Sequence, residues 1–333
     1  MTNRKYRAGL VGACLLGLTV TLLLAGLAVG STGLESISRI FSRDIDPAAG
    51  QIIWDIRAPR TLGAWLAGVL LGLAGAVAQG LFRNPLADPF LLGSASGASL
   101  GVAVALAVFG ISPFATEWVV RLGLTGAAFV GAVAAVFLTL ALARGVQHTL
   151  RLLLAGVVVG VVLGAISLLI AQMFPHILVA MQSFTMGSTS FVGWGACSVM
   201  GIVLALAMVV SWMLAHILDG LSLGEDTALS LGLPLSAMRM VLVGVIALAT
   251  GTAVAQTGLI AFVGLAAPHV VRSIVKTAHG KLVMLSSLMG GVLLLLADTL
   301  ARSLIAPQEL PVGVLTAILG GSYLLWLMRS KSL

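Results

Sequence analysis

Three carboxylates, Asp219, Glu225 and Asp226, arrive within eight positions, directly after a 67-residue stretch (152–218) that contains no Lys, Arg, Asp or Glu. Their segment, "DGLSLGEDTALSLGLP" (219–234), keeps Leu and Ala at helical spacing between Gly220, Gly224 and Gly232. The glycines predict two short helical pieces. Glu225 and Asp226 open the second, where the helix dipole favours negative charge. A solvated loop has no use for Leu221, Leu223, Leu229, Leu231 and Leu233, and five leucines in such a place want a partner surface. A small acidic knob of this kind docks in a groove of another protein.

A second constellation is cationic. "DIRAPRTLGAWLAG" sets Arg57 and Arg60 three residues apart ahead of an apolar run, with Pro59 starting the helix. Each guanidinium offers a planar fork that grips carboxylates, although anchoring to lipid headgroups is an alternative use. Asp298 is the carboxylate that falls inside an apolar span, and Arg302 lies one helical turn away on the same face. A structural ion pair is the expected reading, with a coupling-ion site as the alternative. His269, directly after Pro268 in "FVGLAAPHVVR", is expected to make a structural hydrogen bond at a helix bend rather than to ligate a metal or haem. The five histidines (148, 176, 216, 269, 279) are scattered, and Cys14 and Cys197 are expected to be free buried thiols. The chain carries no phosphate-cradling G-x-x-x-x-G-K-[ST]. The pattern therefore predicts no catalytic residue, no metal site and no nucleotide hydrolysis by this chain itself.

The elements that position these residues must lie in a membrane. Of 333 residues, 59% are hydrophobic and 9% charged, with a mean hydropathy of +1.14. Soluble domains carry about 25% charged residues. Forty glycines suit closely packed transmembrane helices. A span needs about 20 apolar residues, and the uncharged runs predict ten. The first, 8–30, is too long for a signal peptide's apolar core and reads as a retained helix. The others are 61–82, 89–116, 122–143, two within 152–218, 234–256, a short one at 259–274, 282–305 and 311–328. The prolines and small residues of "LFRNPLADPFLLGSASGASLG" (81–101) break the chain between two of them.

Charge sets the orientation. With both termini inside, the inner set is Arg4, Lys5, Arg7, Arg83, Arg144, Arg151, Arg239, Arg272, Lys276, Lys281, Arg329 and Lys331. Outside stand Arg39, Arg43, Arg57, Arg60, Arg121 and Arg302, balanced by Glu35, Asp44, Asp46, Asp55, Glu117 and Glu309. The inner acids are Asp88, Asp219, Glu225 and Asp226, so the inner side is +8, the outer side 0, and Asp298 within its span brings the total to the formal +7. This positive-inside bias puts residues 219–234 in the cytoplasm and explains the net charge without nucleic acid. "GAVAQG" (75–80) and "TAVAQTG" (252–258) end two crossings that run in opposite directions, a hint of an inverted pseudo-repeat. The fold expected is one all-α transmembrane domain over 1–333, with the 219–234 segment inside it.

These stretches, together with "RAPR", "LLLADTLAR" and "ELPVGVLTAILGGSYLLWL", resemble the ten-helix permeases of type II ABC importers, the FecCD-like family serving iron–siderophores, haem and vitamin B12. The likeness runs through nearly the whole chain in order. It implies a homodimer in the bacterial inner membrane, two cytoplasmic ATPase subunits that hold the ATP and Mg²⁺, and a periplasmic substrate-binding protein. No cofactor is implied for the chain itself. By the same resemblance, Leu221, Leu223, Gly224, Glu225, Asp226, Ala228, Leu231 and Gly232 are expected to couple to the ATPase. Arg57, Arg60 and Arg302 are expected to dock the binding protein. Overall likeness favours haem as cargo, with ferric siderophore and vitamin B12 as alternatives. An ion-coupled secondary transporter is the reading from another class, and it would need more buried acids than Asp298.

Overall fold

The computed structural model describes residues 2–30, 33–34, 50–109, 118–143 and 149–330. Of the residues invoked above, Glu35, Arg39, Arg43, Asp44, Asp46, Glu117, Arg144, His148 and Lys331 lie outside them. Among the described residues, ten helices of twelve residues or more follow the ten expected runs. In chain order these are α1 (Thr2–Ala28), α2 (Ala58–Leu81), α3 (Ser94–Phe109), α4 (Trp118–Leu142) and α5 (Thr149–Met173). A nine-residue α6 (Leu178–Met186) precedes α7 (Trp194–Met213). The knob then supplies α8 (Ala215–Ser222) and α9 (Glu225–Ser230). The chain finishes with α10 (Leu235–Thr257), α11 (Val263–Ile274), α12 (His279–Ser303) and α13 (Val312–Ser330). One two-residue antiparallel pair, Val29–Gly30 with Gly33–Leu34, is the extended structure among the described residues.

Helices dominate because a backbone in hydrocarbon must bond to itself. Seven of these helices are long and apolar enough to cross a bilayer, and α3, α11 and α13 are shorter. Helix α2 is the axis of the molecule and packs on α12, α10, α11 and α7. Close approach requires glycine at the crossings. A Cβ on Gly68 would fall 2.3 Å from the Gly290 carbonyl oxygen of α12, and one on Gly290 would fall 2.2 Å from that of Gly68. The same reciprocity joins Gly97 of α3 to Gly131 of α4. By contrast, α1, α4, α5 and α7 turn Leu16, Phe137, Val161, Leu168 and Ile202 outward, as membrane-embedded helices do. Cys14 lies on that outward face of α1 and not in the interior as expected, because α1 is peripheral; Cys197 is buried.

The ends of the bundle are defined by contacts. Gly80 of α2 abuts His279, the first residue of α12, whereas Thr257, closing α10, bonds Ser188 beside the Thr189–Asp298 contact. The two "AVAQ" segments therefore sit at opposite ends on antiparallel helices. One end carries the knob, and the other carries Arg57, Arg60 and Arg302.

Candidate functional site

At the arginine end the side chains close on each other. Asp298, fully buried in α12, accepts from Arg302 Nε at 3.0 Å, from Arg302 Nη2, from Arg60 Nη2 at 3.4 Å and from the Thr189 hydroxyl. Arg302 also donates to the Gly26 carbonyl at 3.2 Å and to Thr61 Oγ1 at 3.3 Å. Arg60 Nη1 reaches Glu309 at 2.9 Å, and Ser190 Oγ donates to the same carboxylate at 3.1 Å. Arg57 donates to the Leu27 carbonyl at 3.3 Å. Breaking such a network leaves an unpaired buried charge, which costs far more than the net gain from forming the pair.

This geometry bears out the structural pairing of Asp298 with Arg302 and corrects the placement of Arg302. It does not stand at an outer rim. It is 1% exposed, because its whole fork is committed to Asp298, Thr61 and Gly26. Arg57 and Arg60 are also buried, at 4% and 8%. The Arg60–Glu309 pair is the part nearest solvent, with the Glu309 side chain 25% exposed. Sequence reasoning counted Glu309 among the outer acids and missed its bond to Arg60 and the roles of Thr189 and Ser190. No local signal links residues 249 positions apart. Around this cluster Trp54, Ile56, Phe191 and Trp194 are exposed, and Trp194 Nε1 donates to the Trp54 carbonyl at 2.9 Å.

At the other end α8 and α9 fold into a compact knob. Gly224 (φ 112°) and Gly232 (φ 74°) bracket α9 in backbone conformations that side chains resist. Leu221 and Ala228 are fully buried and belong to the main core, so neither stands on the knob's exposed surface, where the sequence placed them. Leu233 is half-buried, packed near Gly220. The outward set is Leu223, Leu229 and Leu231, 56–66% exposed, with Asp226 and Gly232 beside them. Glu225 lies in the first turn of α9, as the dipole favours, and accepts from Arg239 of α10 at 2.7 Å. Asp219, half-exposed like Glu225, is paired within the chain as well. It accepts from the His279 backbone N–H at 3.0 Å and from its Nδ1–H at 2.7 Å.

His269 follows the sequence reading. His269 Nδ1 bonds the Tyr323 hydroxyl at 2.8 Å beside Pro268 inside α11. Gln79, which closes the first "AVAQ", donates to the Leu265 carbonyl at 3.0 Å and accepts from Arg272. In the loop after α2, Asp88 caps the Pro89–Leu92 turn by accepting from Phe90 N–H at 2.8 Å. Burial pushes its carboxyl above the usual 3.8, and the Phe90 bond works in the opposite direction.

Comparison with known proteins agrees with this arrangement. The FecCD transport family matches residues 17–330. The hemin transport system permease protein HmuU of Yersinia pestis is 36% identical over 92% of this chain and 93% of its own. The vitamin B12 import system permease protein BtuC of Yersinia enterocolitica is 37% identical over 99% and 94%. A solved structure described as an inward-facing metal-chelate type ABC transporter superposes with a TM-score of 0.85 at 28% identity, covering 97% of this chain and 99% of that one.

Proposed function

The chain belongs to the FecCD transport family and is an ABC importer permease of the bacterial inner membrane; on that premise we propose that it moves haem, or a related iron chelate, into the cytoplasm. It works as a homodimer with both termini in the cytoplasm. Two ATPase subunits carry ATP and Mg²⁺, and a periplasmic binding protein delivers the cargo. The observation that carries this reading is the knob. Leu223, Leu229 and Leu231 are exposed on a segment stiffened by Leu221, Ala228 and the Glu225–Arg239 pair, at the end where the inner positive charge collects. Exposed leucines on a rigid acidic element suit a protein groove better than solvent. The ATPase is the partner of that groove.

At the opposite end, Arg60 and Glu309, with Arg57 behind them and the exposed Trp54 and Trp194 alongside, form the surface for the binding protein. Arg302 has a supporting role there through Asp298. Vitamin B12 is the second reading, because BtuC is as similar to this chain as HmuU is. Purification of the partner binding protein decides the cargo. A retained haem absorption band is the expected result, and retained cobalamin or siderophore overturns haem while leaving the permease reading intact.

A further inference from the structure

Helix α12 lacks a cap of its own. Ala278 at its N-cap makes no side-chain bond, and its first turn holds no acid. The first N–H groups of a helix need acceptors, and negative charge is favoured beside them. Asp219 supplies both from another element. One oxygen, Oδ1, takes the His279 backbone N–H at 3.0 Å and the imidazole Nδ1–H at 2.7 Å. The imidazole is packed against α2, where a Cβ on Gly80 would lie 3.1 Å from its ring. Inward of Asp219, Ile217, Leu218 and Leu221 are fully buried. So α8, the first helix of the knob, is joined to α12 by a polar clamp as well as by packing.

Helix α12 is one element of 25 residues. Its far end holds Asp298 and Arg302, which meet Arg60 and through it Glu309. The clamp and the arginine cluster are thus the two ends of one rod, on the order of 37 Å long at 1.5 Å per residue.

We propose that Asp219 and His279 are positioning residues that transmit displacement between the ATPase-facing knob and the outer end of α12. The inference rests on the reading of residues 219–234 as the ATPase contact. Asp219 acts in this reading through His279, to which both of its bonds run. It fixes the knob to the helix that reports on the binding protein's surface, so loss of the clamp separates the two ends without dissolving either.

The test uses the complete importer in liposomes, and reads ATP hydrolysis with and without its binding protein. Asp219→Ala is expected to leave assembly and basal hydrolysis unchanged while the increment stimulated by the binding protein falls roughly tenfold, the scale of one charge-assisted bond. Asp219→Asn keeps an acceptor for both His279 donors and should retain most of that increment. His279→Ala keeps the backbone bond and should lose part of it. The double variant Asp219→Ala/His279→Ala should be no worse than Asp219→Ala alone, because both remove one shared interaction. Should Asp219→Ala fail to assemble, His279→Ala decides: an unchanged increment overturns the proposal. So does normal stimulation in an assembled Asp219→Ala complex. Leu231→Glu separates the two levels of inference. If it loses ATPase association while Asp219→Ala behaves as wild type, the clamp alone is wrong; if neither has any effect, the ATPase contact is wrong as well.

Discussion

At the arginine end, a fully buried carboxylate is held by two guanidiniums and a threonine hydroxyl, and a second carboxylate completes the cluster nearer solvent. At the knob end, Asp226 stands in solvent beside three exposed leucines. One end turns its charges inward, and the other turns its apolar groups outward. The difference follows from where each set of groups can find partners. Charges at the mouth of a bundle sit against low-dielectric helices and must pair within the chain. Leucines on a short protruding segment have too little of their own chain above them to be covered. The charges of the arginine end are therefore answered within one chain, whereas the three leucines of the knob stay uncovered.

The contrast breaks first at Asp298. Asp298→Ala leaves Arg302 and Arg60 without their shared acceptor, and the cost expected is about 3–5 kcal/mol. Thermal unfolding of the detergent-solubilised permease should shift sharply downward. Knob variants such as Leu231→Glu, on an exposed position, should leave the same curve unmoved. Equal shifts from both would mean that the ends do not differ in the way described.

A smaller effect sharpens the comparison at the solvent edge of the arginine cluster. Arg60→Glu places a carboxylate next to Glu309 and the buried Asp298, so it is read in assembled complexes, where association with the binding protein should weaken by roughly ten- to a hundredfold. Charge-reversed carboxylates on the binding protein should restore part of it. Raising salt should weaken the wild-type complex more than the variant, since fewer exposed pairs remain to be screened. Unchanged affinity at two salt concentrations would assign the arginine to internal support alone.

The smallest effect concerns Asp88, between α2 and α3. Its folded pKa is raised by burial, so the folded protein holds this proton more tightly than the unfolded chain does. This carboxyl's contribution to stability is then fully present below about 3.8 and is lost as pH rises through the raised value. Asp88→Asn keeps the oxygen that caps Phe90 and removes the desolvated charge. At neutral pH the variant should match or slightly exceed wild-type stability, with its advantage vanishing in acid. A clear loss of stability at neutral pH would show that the charged cap outweighs its burial.

Much of this was legible in the chain. Apolar runs bounded by charge give the ten helices, because a span has a fixed length and tolerates few ionised groups. The glycines at 224 and 232 announce the two breaks around α9, since backbone with positive φ admits few other residues. The pairing of Asp298 with Arg302 was local, one turn of one helix.

Other pairings depend on distances that the chain order does not express. Glu309 reaches Arg60 across 249 positions, and Asp219 reaches His279 across 60. The first needs the chain after α12 to return to the start of α2, and the second needs α8 to meet the start of α12. Leu221 and Leu223 look alike in sequence, yet one is sealed and the other is 66% exposed. Two residues along a helix point to nearly opposite sides, and packing alone decides which side meets the bundle. The same holds for Arg302, whose charge is visible in the sequence and whose burial is not. Composition and period fix where helices form and which end carries charge, because those depend on each residue's own preference for water or hydrocarbon. Which carboxylate answers which arginine depends on helix against helix, and only the tertiary structure sets that.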